Sequence, residues 1–157
     1  HVSDCPNHTV GRVTPFKTRG DVALAGTFGY ELDITKIAPE EREQISDQVA
    51  LYHKYNDLVR EGDYYRIASY LENHFYDCYM VVSKDKKEAL MTFVNVHARP
   101  NYHSRRICLQ GLDPDLDYYV EDAPDTIYGG DLLMNAGILI PSEQGDYRSY
   151  LYHFIAS

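Results

Sequence analysis

The sequence predicts two architectures in one chain: an α/β segment that ends at Gly62 and an all-β segment after it. Residues 27–33 alternate apolar and polar side chains, as a half-buried strand does, and residues 39–61 carry the apolar spacing of one long helix. From residue 63 onward the apolar period is two, and no second long helix is predicted. We therefore expect one strand–helix repeat of an α/β fold, followed by an antiparallel sandwich.

The chain is predicted to begin with a loop and a short helix. Residues 1–13 are rich in small, polar and turn-forming types, which favour a loop. Thr14 is the expected N-cap of the helix and Pro15 its first residue, because proline lacks the N–H that is unpaired there. Gly26 is expected to end this helix.

The strand predicted at residues 27–33 has an apolar and a polar side. Phe28, Tyr30 and Leu32 point one way, whereas Glu31 and Asp33 point the other way. A strand flanked by helices in this manner indicates a barrel or a doubly wound sheet. In an α/β barrel, Asp33 would be the residue nearest the active-site mouth, because the mouth lies at the C-terminal ends of the strands.

The helix predicted at residues 39–61 begins with Pro39 and two glutamates, which suit the positive end of the helix dipole. Gly62 is expected just beyond its last turn. Its predicted buried stripe, broadened by Leu51 and Leu58, consists of Ile45, Val49, Tyr52, Tyr55 or Asn56, and Val59.

The all-β segment is predicted from alternation and turn signals. A charged hairpin turn is expected at residues 84–87, and further turns at 113–115 and at 129–131, before an apolar run at 132–140. The predicted strands are residues 63–69, 75–83, 89–98, 105–112, 117–121 and 147–156.

Composition limits the classes of partner and location. The 15 basic and 24 acidic residues give a net charge of −9 without a dominant basic patch, which disfavours a nucleic-acid partner. No apolar run approaches the length that spans a bilayer. Cys5, Cys78 and Cys108 lack CxxC spacing, so free thiols in a cytoplasmic protein are the simpler interpretation. The chain starts at His1 without Met, and we expect that a preceding segment was removed.

Three constellations could carry chemistry. Glu31 and Asp33 lie on one side of a strand, but neighbours on one strand cannot flank a sugar as a glycosidase acid–base pair must. His1, Cys5 and His8 could be metal ligands, although their spacing fits no standard zinc pattern. The 15 tyrosines could stack on sugars in a carbohydrate-binding module, but tyrosines in strands more often serve packing, and there is no Trp.

Several longer motifs resemble bacterial α-galactosidases of glycoside hydrolase family 36, and the resemblance runs nearly end to end. Those that resemble the end of the catalytic barrel are residues 1–3, 6–8, 11–15, 18–23 (Thr-Arg-Gly-Asp-Val-Ala) and 28–33 (Phe-Gly-Tyr-Glu-Leu-Asp). Those that resemble the C-terminal β-sandwich are residues 62–66, 111–115 and 128–137 (Tyr-Gly-Gly-Asp-Leu-Leu-Met-Asn-Ala-Gly).

The resemblance implies a domain plan and an activity. Residues 1–62 would be the last strand–helix units of a (β/α)8 barrel, and residues 63–157 the β-sandwich that follows it. The whole enzyme would be a retaining α-galactosidase that removes terminal α-linked galactose from sugars such as melibiose and raffinose. It would use an Asp nucleophile and an Asp acid/base, with no metal or cofactor. Many members of the family are cytoplasmic homotetramers.

The sequence departs from the family at the catalytic motifs. The Lys-x-Asp motif of the nucleophile and the Ser-Asp-Asn motif of the acid/base are both absent. No catalytic residue is therefore predicted here, and this chain alone is expected not to hydrolyse α-galactosides. In the parent barrel, His1 and Asp33 would lie at the rim of the sugar pocket. A stand-alone carbohydrate-binding β-sandwich is the alternative.

Overall fold

The computed structural model describes residues 1–101, 104–141 and 145–157 and is mostly antiparallel sheet with few helices. Its first elements form a parallel strand pair joined by a helix. Strand β1 (Val2–Ser3) pairs with β2 (Tyr30–Glu31), and helix α1 (Phe16–Ala23) connects them. Parallel strands require such a crossover, so this part is a strand–helix–strand unit.

The predicted strand at residues 27–33 is shorter in the structure, but its two sides are as predicted. Only Tyr30 and Glu31 pair, because the partner strand is itself two residues long. Phe28, Tyr30 and Leu32 all pack on a small core made by Val2, Phe16 and Ala23. The apolar side of the strand therefore lies under α1, as the alternation predicts.

The start of α1 differs from the prediction by one residue. Pro15, not Thr14, is the N-cap, because the Pro15 carbonyl accepts the first helical hydrogen bond, from the backbone N–H of Arg19. Pro15 has an extended backbone and makes no side-chain cap. The helix ends at Ala23, before the predicted stop at Gly26.

The long helix is interrupted near its start. It comprises α2 (Pro39–Glu43) and α3 (Ile45–Glu61), with Gln44 between them. The predicted stripe lies on the packed side of α3, since all its members are buried or half-buried. The fully buried positions are Tyr55 and Leu58, both predicted, and Gln48. Gln48 was not predicted to be buried. Its burial is tolerated because its amide nitrogen donates to the Phe16 carbonyl and its amide oxygen accepts from the Tyr30 hydroxyl.

From residue 63 onward, the described residues form one six-stranded and one two-stranded antiparallel sheet. The large sheet has the order β3-β4-β5-β10-β7-β8, and the small one pairs β6 with β9. The strands are β3 (Asp63–Ala68), β4 (Tyr76–Val82), β5 (Glu88–Asn95), β6 (Ser104–Ile107), β7 (Asp117–Val120), β8 (Ala123–Gly129), β9 (Ile138–Pro141) and β10 (Arg148–Ala156).

Each face of the large sheet has its own core, as strand alternation requires. Against one face pack the β6–β9 sheet and the loop after β6, forming the main core. Against the other face packs α3, where Tyr55 and Leu58 contact Val81 and Leu90. The main core includes Cys78, Met80, Val82, Ala89, Met91, Phe93, Ile107, Leu109, Leu112, Tyr118, Val120, Leu133, Ile138, Ile140 and Phe154.

Residues 123–140 depart most from the prediction. The sequence indicated a turn followed by one apolar run, whereas the structure contains β8, helix α5 (Gly130–Asn135) and β9. Gly130 lies so close to the Asp113 backbone that a Cβ there would be 1.9 Å from the Asp113 carbonyl oxygen. A further short helix, α4 (Tyr70–Asn73), joins β3 to β4. In the part of the chain that the structure describes, no helix has both the length and the apolarity needed to cross a membrane.

Candidate functional site

The polar side of the β1–β2 pair carries an imidazole–carboxylate contact. His1 Nε2 lies 2.7 Å from Glu31 Oε2, and both side chains are more than half exposed. Val2 and Tyr30, the neighbours of His1 and Glu31 along the two strands, point to the opposite side, into the α1 core. His1 and Glu31 therefore share the surface that faces away from the helices.

Asp33, two residues beyond β2, is held in a turn of its own. Its carboxylate accepts hydrogen bonds from the Thr35 backbone N–H at 3.0 Å and the Thr35 hydroxyl at 2.6 Å, and it pairs with Lys36. The Thr35 and Lys36 hydrogen bonds lower the pKa of Asp33 to about 2. Asp33 is therefore an ionised carboxylate at neutral pH and has no proton to donate as a general acid.

The structure does not bring the sequence-predicted residues into one catalytic or metal-binding group. Glu31 contacts His1, whereas Asp33 contacts Thr35 and Lys36, so the two carboxylates are committed to different partners. Within residues 1–101, 104–141 and 145–157, no group of three or more His, Cys, Asp or Glu side chains is placed to hold a metal ion.

A buried hydrogen-bond network joins α1 to β10. The Ser149 hydroxyl is 2.6 Å from Asp21 Oδ2 and 3.0 Å from the Thr18 hydroxyl, which in turn donates to the Tyr147 carbonyl. Lys17 pairs with the same Asp21 oxygen. Because the Asp21 side chain is only 5% exposed, its charge depends on these partners.

The two residues between Thr18 and Asp21 hold α1 to other elements. The Arg19 guanidinium is buried and donates to the carbonyls of Ser3 and Thr14 and to the Glu41 carboxylate. Gly20 lies against Gln48 of α3, where a Cβ would be 2.4 Å from Gln48 Nε2. The segment Thr18–Asp21 therefore contacts β10, β1, α2 and α3 at once.

A second polar network joins α3 to the large sheet. The two ring nitrogens of His153 lie 3.1 Å from Glu121 and 2.7 Å from Glu88, and Lys54 contacts Glu121 at 2.5 Å. Hydrogen bonds from Lys54 and His153 lower the pKa of Glu121 to about 2. Tyr55 packs its ring edge-on against His153. A neutral imidazole has one N–H, so only a protonated His153 can donate to both carboxylates.

A cleft of about 880 Å³ lies between α1, α3 and β10, and both networks line it. Its buried Ser149 hydroxyl bonds to both Asp21 and Thr18, and its His153 bonds to Glu121. These side chains already have hydrogen-bond partners within the protein, so their contacts serve to hold the packed elements together. We therefore interpret the cleft as the interface between the helical segment and the large sheet. This interface, formed by α1, α3 and β10, is called the joint.

Two known family profiles match the chain, one over the helical segment and one over most of the sheet segment. The profile of the Glycosyl hydrolase family 36 C-terminal domain matches residues 76–154, about half of the chain, and the Melibiase profile matches residues 1–62. The chain belongs to glycoside hydrolase family 36. The resemblance drawn from the motifs is thus confirmed.

The curated relatives of this family 36 chain are α-galactosidases. Alpha-galactosidase Mel36A of Lactobacillus acidophilus is 42% identical over 99% of this chain, and alpha-galactosidase AgaA of Geobacillus stearothermophilus is 43% identical over 99%. In both cases the match covers 21% of the relative. The chain therefore spans about a fifth of the length of these relatives.

Solved structures of family 36 match over the whole chain. The galactosidase domain of alpha-galactosidase-sucrose kinase AgaSK superposes with a TM-score of 0.96 at 39% identity, covering 100% of this chain and 22% of that one. A variant of AgaA in complex with raffinose superposes with a TM-score of 0.95 at 42% identity, covering 100% and 21%. A stand-alone binding module is not favoured, since the similarity includes the Melibiase match at residues 1–62 as well as the C-terminal-domain match at residues 76–154.

Residues 18–23 were noted in the sequence only as a family motif, and no residue was predicted to link the helical segment to the sheet. A signal was present in Thr18–Asp21, because four consecutive residues without an apolar side chain lie in the centre of a helix that must pack on its neighbours. The Glu121–His153 contact gave no such signal, because it joins positions 32 residues apart.

Proposed function

We propose that residues 1–157 are the C-terminal part of a retaining α-galactosidase that removes terminal α-linked galactose from sugars such as melibiose and raffinose. The observation that carries the proposal is 42–43% identity to α-galactosidases over 99% of the chain, with both segments in the same order. Proteins this similar share their fold, and the networks described above hold that fold together.

We further propose that residues 1–62 form the last strand–helix units of a (β/α)8 barrel and residues 63–157 its C-terminal β-sandwich. The parallel β1–α1–β2 crossover supports the barrel assignment, because (β/α)8 barrels consist of such units. In this arrangement α1 and α3 belong to the outer ring of helices, and the joint with β10 attaches the sandwich to that ring.

In the parent barrel, His1 and Asp33 would lie at the rim of the sugar pocket. The contact of His1 with Glu31 on the side of the strands away from the helices supports an interior-facing position for His1, which precedes β1. Asp33 follows the C-terminal end of β2, where a barrel has its mouth, and this supports its place at the rim. An ionised Asp33 would act by accepting hydrogen bonds from sugar hydroxyls.

The chain itself is proposed to lack catalytic residues, since neither catalytic motif of the family is present. Its ligand would be the galactoside held by the parent barrel, with no cofactor, and the parent enzyme would be a homo-oligomer. The exposed thiols of Cys5 and Cys108 support a cytoplasmic location, where thiols stay reduced.

A chimera tests the proposal. Residues 1–157 replace the matching C-terminal fifth of AgaA, and release of nitrophenol from p-nitrophenyl α-galactoside is measured. We expect turnover by the chimera and none by AgaA truncated at the same point or by residues 1–157 alone. A chimera that unfolds cooperatively yet is as inactive as the truncated enzyme would refute the proposal.

A matched pair of substitutions tests whether the contact between α1 and β10 stabilises the active chimera. In the chimera, Asp21→Ala removes the acceptor of Ser149, whereas Asp57→Ala removes an exposed carboxylate of α3. We expect the first to lower the temperature at which activity is lost and the second to leave that temperature unchanged.

A further inference from the structure

Three aromatic side chains cluster at one end of the large sheet, with neighbouring rings tilted by 53–60° to each other. The Tyr70 hydroxyl lies 3.0 Å from His97 Nε2, and the two ring centroids are 5.6 Å apart. The ring of Tyr147 follows, with its centroid 6.4 Å from that of His97. Tyr70, His97 and Tyr147 are named here the aromatic platform.

The aromatic platform is open to solvent yet held in place. The His97 side chain is 45% exposed, and the two tyrosines are half-buried. Tyr147 has a φ of 55°, in the left-handed region that a bulky residue rarely adopts. Its carbonyl accepts a hydrogen bond from Thr18 at 2.7 Å, which fixes this backbone against α1. Such strain persists only where the surrounding structure determines it.

The platform lies at the same end of the molecule as the C-terminal ends of β1 and β2. Thr18, which bonds to Tyr147, is in the first turn of α1, directly after the loop that follows β1. Arg12, from that loop, places its guanidinium 5.4 Å from the centre of the Tyr147 ring. In a (β/α)8 barrel the loops after the strands surround the active-site mouth, so the platform borders that end on its sandwich side.

We propose that the aromatic platform binds the outer sugar units of longer α-galactosides, beyond the terminal galactose. The inference rests on the proposed function. Aromatic faces pack on the C–H faces of sugar rings, and the exposed Arg12 guanidinium offers donors to sugar hydroxyls. The hydrogen bond between Tyr70 and His97 holds these two rings in place. The carboxylate of Asp146 lies 3.9 Å from His97 Nδ1 and accepts a hydrogen bond from the Ala98 backbone N–H at 2.7 Å, which helps to hold this edge in place.

The test compares a long with a short substrate in the AgaA chimera. Tyr147→Asn removes the ring but keeps a residue that tolerates the left-handed backbone. We expect kcat/KM for stachyose to fall about fivefold, the effect of losing one aromatic contact, with kcat/KM for p-nitrophenyl α-galactoside unchanged. Tyr147→Phe retains the ring and is expected to retain most of the stachyose activity.

A matched control variant is included, and different outcomes would contradict the platform proposal and the proposed function. Tyr64→Ala removes an exposed tyrosine of β3 outside the platform and is expected to leave the ratio of the two activities unchanged. Equal losses on both substrates in Tyr147→Asn, or no loss on either, would overturn the platform proposal. No turnover of p-nitrophenyl α-galactoside by the unsubstituted chimera would instead refute the proposed function.

Discussion

The hydroxyl of Ser149 on β10 lies 2.6 Å from the carboxylate of Asp21 on α1, across the boundary between the helical segment and the large sheet. Both residues are buried, and they are 128 positions apart in the chain. This contact ties the start of the chain to its last strand. It means that the two segments stabilise each other, although their sequence patterns differ.

The Asp21–Ser149 contact is expected to show energetic coupling. Asp21→Ala should lower the free energy of unfolding by about 1–3 kcal/mol, because Ser149 and Lys17 lose a shared buried partner. Ser149→Ala alone should cost less. In a double-mutant cycle by denaturant unfolding we expect a coupling energy above about 0.5 kcal/mol. Additive effects would show that the contact is not formed in solution.

Gly20→Ala is expected to destabilise the chain, against the usual trend for a helix. Replacing glycine by alanine inside a helix normally stabilises it by about 0.5–1 kcal/mol. Here the added Cβ would meet Gln48, whose amide bonds to the Phe16 carbonyl and the Tyr30 hydroxyl and cannot move without breaking both contacts. We expect a loss of about 1–3 kcal/mol in thermal or denaturant unfolding.

Gly26→Ala is the matched control for this prediction. No atom lies within 4 Å of a Cβ at Gly26, so the change should stay within about 0.5 kcal/mol. If Gly20→Ala instead stabilised the protein as an ordinary helical site would, the close packing of α1 on α3 would be wrong.

Glu121 is expected to make stability depend on acid pH. Its pKa falls from 4.5 to about 2 in the folded chain because Lys54 and His153 donate to the carboxylate. A lowered folded-state pKa means that the contribution is fully present above about pH 4.5 and is lost as the pH falls toward 2. The contribution is modest, since the side chain is 39% exposed.

Unfolding measured from pH 7 to pH 2 in the unsubstituted chain and in Glu121→Gln tests this dependence. The difference in unfolding free energy between the two proteins should shrink toward pH 2. A difference that stayed constant over the whole range would contradict the Lys54–Glu121–His153 network.

The three cysteines are expected to react unequally with a thiol reagent. Cys5 and Cys108 are exposed, whereas Cys78 is fully buried in the main core, and burial raises the pKa of its thiol to about 12. At neutral pH the folded chain should therefore release colour from Ellman's reagent for two thiols and, after denaturation, for all three. Cys78→Ser should leave the folded count unchanged. Rapid reaction of all three in the folded chain would show that β4 is not covered.

Much of the fold could be predicted from local pattern. The alternation of Cys78, Met80 and Val82 along β4 separates the two faces of the sheet, and the charged residues 84–87 form the predicted hairpin turn. Helix α3 was predicted with the right end and the right apolar stripe. The burial of Gln48 was missed, because it depends on tertiary hydrogen bonds that periodicity does not encode.

The elements that were missed depend on distant contacts. β8 is an edge strand whose residues are mostly exposed, so it lacks the alternation of a half-buried strand. The helix at residues 130–135 depends on the close approach of Gly130 to the Asp113 carbonyl. The role of His1 and Asp33 at a sugar pocket stays a prediction, and Glu31, the partner of His1, was not paired with it in advance.

Hydrolysis of p-nitrophenyl α-galactoside by the AgaA chimera tests the central claim most directly. If residues 1–157 complete an α-galactosidase, the chimera turns the substrate over, whereas the truncated enzyme and the chain alone release no nitrophenol above background. A chimera that is folded but inactive, or an isolated chain that hydrolyses the substrate by itself, would contradict the account.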